Sequence, residues 1–174
     1  MPIGFKNGTG GSIQIAVDGI RAASNPHHFL SVTKQGLSAI VSTVGNQNCH
    51  IILRGASTGP NFDAESVSAT ADLLESSGLS RPLMVDCSHG NSRKDHRNQS
   101  TVAAELGRQI SAGSNDVAAV MIESNLVEGN QKLSRGAEGL TYGQSVTDAC
   151  IGWDDTKELL ESLAKSVQAR RKHP

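Results

Sequence analysis

At 174 residues, 37% hydrophobic and 19% charged, the chain is sized and composed for one globular domain. A formal net charge of −1 and a pI near 6.6 argue against nucleic-acid binding, and no apolar run reaches the ~18 residues that span a bilayer. Three cysteines, odd in number and outside CxxC spacing, read as reduced thiols; with no basic-then-apolar leader in view, a cytoplasmic location is expected.

The first element, "PIGFK" (2–6), reads as a buried strand that delivers Lys6 to a Gly/Asn/Thr-rich loop. A helical pattern over 12–24 stops at Asn25-Pro26. The segment 28–45 breaks the rhythm, since two strands around Lys34-Gln35-Gly36-Leu37 predict an inserted β-hairpin, Phe29–Thr33 with Ser38–Thr43. "CHIILRG" (49–55) predicts the next strand, followed by a helix over 63–78 with Asp63 as N-cap and Gly78 as stop. "PLMVDCSHG" (82–90) predicts a third strand, with Cys87 as a small buried hydrophobe. "RKDHR" (93–97) reads as a solvated face before a helix over 99–113, with contact to a phosphate as the lesser alternative. "AAVMIES" (118–124) gives a fourth strand, and "QSVTDACIG" (144–152) a weaker fifth. The final helix, 154–172, has an acidic first turn, a basic last turn, and Leu159, Leu160, Leu163 and Val167 on one face. His27-His28 lacks acidic or Cys companions and reads as hairpin packing. Strands alternating with helices predict a parallel α/β fold.

Each apolar run hands over to a polar residue and a loop: Lys6, Arg54, His89, Glu123 and Asp148. Most intervals are near the ~30 residues of one βα unit, and the long first one contains the hairpin. In a (β/α)8 barrel the C-terminal strand ends meet on one face, so the five would share a pocket. Lys6 and Arg54 suit a phosphate or carboxylate. His89, Glu123 and Asp148 are an N/O set suited to a divalent metal such as Mn or Fe. Taken singly, each has a plainer reading: a loop histidine, a salt-bridging carboxylate, a solvated lysine. Their recurrence at matched positions carries the joint one, a metal- and phosphate-handling barrel fragment of undefined reaction.

The same stretches carry a resemblance. "PIGFKNGTGG", "HIILRG", "DCSHGNSRKDHRNQ", "MIESNLVEGNQ" and "YGQSVTDACIGW" resemble successive motifs of the microbial class I DAHP synthases, with no large gap from Pro2 to Arg171. The resemblance implies a transferase of the shikimate route to aromatic amino acids, condensing phosphoenolpyruvate with erythrose 4-phosphate to give DAHP and phosphate. It implies that Lys6 and Arg54 hold the phosphate of phosphoenolpyruvate, with Lys6, Arg54 and His89 as catalytic residues. His89, Glu123 and Asp148 would be three of four metal ligands. C3 of phosphoenolpyruvate would attack the sugar aldehyde, which the metal polarises or serves by activating water. Water would then add at C2 before phosphate leaves. The hairpin 28–45 resembles the element that carries an aromatic amino-acid effector in feedback-inhibited members; Phe29, Ser31 and Val41 would line that pocket, and "FLSVT" is closest to the phenylalanine-sensitive type.

Two family motifs are missing: a "GPCSI" that supplies a cysteine as fourth ligand, and a "KPRT" that completes the substrate sites. The resemblance therefore implies residues 1–174 as a single partial (β/α)8 barrel domain, about strands four to eight, with Met1 at an internal family position. Such a chain is expected to be weakly active or inactive alone, and either a homo-oligomer at full length or the partner of a missing N-terminal half. The alternative is a non-catalytic effector-binding or dimerisation fragment of the same family. Another metal-dependent aldolase-type barrel acting on arabinose 5-phosphate fits the long motifs and the hairpin less well.

Overall fold

A computed structural model describes residues 1–133 and 139–172. Its centre is a four-stranded sheet in the order β1-β4-β5-β6, built from β1 (Ile3–Lys6), β4 (Cys49–Leu53), β5 (Leu83–Asp86) and β6 (Val117–Met121). All three pairings are parallel; Lys6 stands beside Ile52, and Asp86 beside Met121. Helices α1 (Gln14–Ala23), α2 (Ala64–Ser76), α3 (Gln99–Ser111) and α4 (Trp153–Arg170) complete a mixed α/β fold. The first four predicted strands and the four helices hold, with β4, β5 and β6 ending earlier than their apolar runs.

Alternate residues of β4 and β5 supply the core, as the period of two allows. Ile51, Leu53, Leu83, Val85 and Cys87 pack with Val17 and Ile20 of α1, Val67 and Leu74 of α2, and Val102 and Leu106 of α3. Cys87 is fully buried, as expected of a small hydrophobe. In α2 the Asp63 carboxylate accepts from the Ser66 backbone N–H (2.9 Å) and hydroxyl (2.8 Å), closing the first turn. In α4, Leu159 enters the core and Leu163 and Val167 pack against it, whereas Leu160 is half exposed and lies outside the expected face.

The inserted hairpin is present as β2 (His27–Val32) paired antiparallel with β3 (Ser38–Thr43), in a sheet of its own. His27 bonds Ala22 O and His28 bonds Ser42 Oγ, so the two histidines serve hairpin packing.

The expected fifth strand over 144–152 is corrected. Only Gln144–Ser145 (β8) is strand, and it pairs with a short β7 (Val127–Asn130) in a separate two-stranded sheet. Of the remainder, Ile151 alone reaches the central sheet, bridging Ser124 beyond the end of β6. Gly129 and Cys150 exchange backbone bonds at 2.9 and 3.1 Å, and this pairing with β7 draws the segment off the sheet.

Candidate metal and anion site

The site lies where β1, β4, β5 and β6 end. Three asparagines clamp the strand ends there. Asn7 Nδ2 donates to Gly55 O, and Asn7 Oδ1 accepts from the Arg54 and Asn61 amides. Asn61 Oδ1 accepts from Gly55 N, Asn91 Oδ1 accepts from Asn61 N, and Asn91 Nδ2 donates to Leu53 O and Asp86 O. Buried backbone groups at sheet ends need such partners. Gly55 (φ 75°) crosses Gly90 so closely that a Cβ at Gly55 would collide with the Gly90 backbone and Asn91 N. Glycine is therefore required at the junction of two site loops.

From this frame the loop after β5 turns sharply. His89, Arg93 and Lys94 all adopt left-handed backbone (φ 51°, 55° and 63°), which is unfavourable for non-glycine residues and clusters at functional sites. The loop's own bonds hold it: Lys94 N donates to His89 O (2.9 Å), Arg93 N to Gly90 O and Asp95 N to Ser92 O.

His89 Nε2 then faces Glu123 Oε1 at 3.6 Å and Asp148 Oδ2 at 3.8 Å. One donor atom from each of the three lies within 4.8 Å of the others, the cluster that a single divalent ion requires. The backbone of Glu123 is gripped by buried Gln99, whose amide accepts from Glu123 N (2.8 Å) and donates to Glu123 O (3.0 Å). Ser88 Oγ donates to Glu123 Oε2. Asp148 is the open member, its side chain 71% exposed. Among the described residues no cysteine joins this donor set.

On the other side of the imidazole sits Asp86, a residue sequence reasoning did not single out. Its side chain is fully buried; Lys6 Nζ donates to its Oδ2 at 2.7 Å and Ser88 N to its Oδ1 at 2.8 Å. His89 Nδ1 lies 2.9 Å from the same Oδ2 but off the line of a hydrogen bond, so that buried nitrogen has a close polar contact and no bonded partner. The ring nevertheless has one orientation, Nδ1 toward Asp86 and Nε2 toward the carboxylates, as a metal-ligating histidine backed by a carboxylate would have. The N/O donor set therefore fits a divalent cation.

Arg54 lines the same 230 Å³ cleft as His89, Glu123 and Asp148. The structure thus brings four of the five predicted residues together and places Lys6 against Asp86, behind the histidine. Lys94 and His96 also line the cleft, while Arg93, Lys94, Asp95 and Arg97 are exposed, as a solvated face requires. His96 is only 13% exposed in its side chain; with Arg97 it donates to Glu128 of β7, and those two donors hold the Glu128 carboxyl below the ordinary glutamate range.

Fold and site together define a mixed α/β protein with a parallel central sheet and a cleft in which Arg54 and Lys94 stand beside a candidate divalent-metal centre. Residues 1–161 match the DAHP synthetase I family, and the chain belongs to that family. It is 53% identical over 173 residues to a putative phospho-2-dehydro-3-deoxyheptonate aldolase of Schizosaccharomyces pombe, covering 99% of this chain and 47% of the relative. It is 54% identical to the phenylalanine-inhibited aldolase of that name in Saccharomyces cerevisiae (98% and 48% covered). The solved structure of phospho-2-dehydro-3-deoxyheptonate aldolase from Francisella tularensis superposes with a TM-score of 0.91 at 53% identity, over 97% of this chain and 49% of that one. The chain spans about half the length of the curated relatives it matches. Among the described residues no helix is long and apolar enough to cross a membrane.

Proposed function

We propose that this chain supplies the metal centre and part of the phosphate site of a DAHP synthase, the aldol-type condensation of phosphoenolpyruvate with erythrose 4-phosphate that releases phosphate. One observation carries the reading: the His89, Glu123 and Asp148 donors converge in the cleft that Arg54 lines. A chain half the length of its relatives, with four parallel strands and site residues at their C-terminal ends, reads as the second half of a (β/α)8 barrel, 1–174 forming one partial domain.

His89, Glu123 and Asp148 would hold the ion, and a bound divalent cation would supply Lewis acidity toward the aldehyde oxygen. Arg54 presents a rigid guanidinium fork suited to two phosphate oxygens. Lys6, one-third exposed and paired with Asp86, would meet the phosphate as half of an ion pair and not as a free charge. Holding the phosphate fixes where C3 of phosphoenolpyruvate faces the aldehyde carbon, a positioning role. Ser88 and Gln99 keep Glu123 in place during turnover.

The hairpin is the proposed effector element. Phe29 lies directly opposite Val41, and Ser31 shares their face two residues on. Phe29 is 49% exposed and Val41 37% exposed, leaving apolar surface for an aromatic amino acid such as phenylalanine. The exposed Leu30, Val32 and Ile40 support further protein on the opposite face, either a second subunit or the remaining strands.

The test is phosphate release from phosphoenolpyruvate and erythrose 4-phosphate with Mn²⁺, using this chain together with a polypeptide carrying the other half of a family relative. Turnover is expected that falls at least about a hundredfold in His89→Ala. Turnover indifferent to His89→Ala would contradict the reading, as would its absence from a folded complex.

A further inference from the structure

We infer that Lys94 is a phosphate-binding residue of this cleft and stands with Arg54 as its second free cation; the inference rests on the function proposed above. The charges around the cleft point to it. Lys6 is already matched, since its ammonium sits 2.7 Å from the fully buried carboxylate of Asp86. His96 and Arg97 are matched by Glu128. Arg54 and Lys94 line the cleft with no ion-pair partner among the described residues. The nearest acid in sequence, Asp95, is occupied elsewhere: its carboxylate accepts from Arg97 N at 3.1 Å and faces His96 Nδ1 at 3.8 Å.

A divalent cation held by His89, Glu123 and Asp148 would balance the two carboxylates. Arg54 and Lys94 would then be left in excess, the charge that a phosphate monoester dianion neutralises. The backbone supports the same assignment. Lys94 is the second of two consecutive left-handed residues, and its N–H is bonded to the carbonyl of His89. The turn that presents the candidate ligand therefore also presents the lysine. An ammonium on a flexible stem complements the fixed fork of Arg54.

The test is calorimetric titration of phosphoenolpyruvate, and of inorganic phosphate, into the Mn²⁺-loaded chain for wild type, Lys94→Met, Lys94→Arg and Arg54→Met. Free Mn²⁺ is followed in parallel by electron paramagnetic resonance. Lys94→Met is expected to weaken both anions about tenfold, the loss of one charge-assisted contact. Lys94→Arg should stay within about threefold of wild type because it keeps the charge, and Mn²⁺ affinity should be the same in all four proteins. Lys94 is exposed, so its thermal melt serves as a check that the variants fold. Wild-type affinity in Lys94→Met, with a loss in Arg54→Met, would overturn the role of Lys94 and leave the site standing. A Mn²⁺-loaded wild type that takes up neither anion would overturn the site itself, and this role with it.

Discussion

Asp86 is placed to set the geometry of two neighbours at once. Its Oδ2 meets both the Lys6 ammonium and the His89 ring, while its Oδ1 is fixed by the Ser88 amide. Removing one partner of a buried pair strands the other, and the loss is moderated here because Lys6 retains some water. Asp86→Asn should therefore lower unfolding stability by about 2 kcal/mol in urea denaturation; an unchanged midpoint would show that the pair carries no structural weight. Asp148 stands beside a predicted strand that does not form, but His89 and Glu123 were legible in sequence because each follows an apolar run, and chemistry at strand ends is a property of parallel α/β folds. Asp86 was not, since inside "PLMVDC" it looks like ordinary strand alternation and its partner Lys6 is 80 positions away. Lys94 is exposed, as a dense run of charges leads one to expect; that it also borders the cleft depends on a left-handed turn that has no signature in "NSRKD".

At the scale of elements, caps and pairing partners decide what forms. Burial opposes charge on Asp63, but the bonds from the Ser66 amide and hydroxyl outweigh it and hold the carboxyl below the ordinary aspartate value. A folded-state value that is lowered gives stability that is complete above the ordinary value and is lost as pH falls through the lower, folded one. Asp63→Ala should cost about 1 kcal/mol near neutrality. The gap to wild type should narrow as pH falls below the ordinary aspartate value, read from urea midpoints; a gap that widened in acid would contradict the cap. The helices and hairpin were legible because periodicity, caps and Gly36 are local signals. The fifth strand failed because pairing is not local. Val146 and Cys150 have the alternation of a strand, yet Cys150 finds Gly129 and β8 finds β7, leaving the sheet only Ile151.

For the whole molecule, β1 and β6 are the edge strands of the central sheet among the described residues, and Ile3 of β1 is 38% exposed. Open edges and exposed apolar residues are what further strands would cover, in accord with a chain about half as long as its relatives. Family membership was legible because the long motifs are specific, and four of the five quoted motifs contribute residues to one cleft. The most direct measurement of the central claim is a Mn²⁺ titration of the 174-residue chain followed by electron paramagnetic resonance, in wild type and His89→Ala. One saturable ion per chain, weakened at least about tenfold by His89→Ala, is the predicted result. No saturable binding in the folded chain, or binding that His89→Ala leaves unchanged, would contradict it.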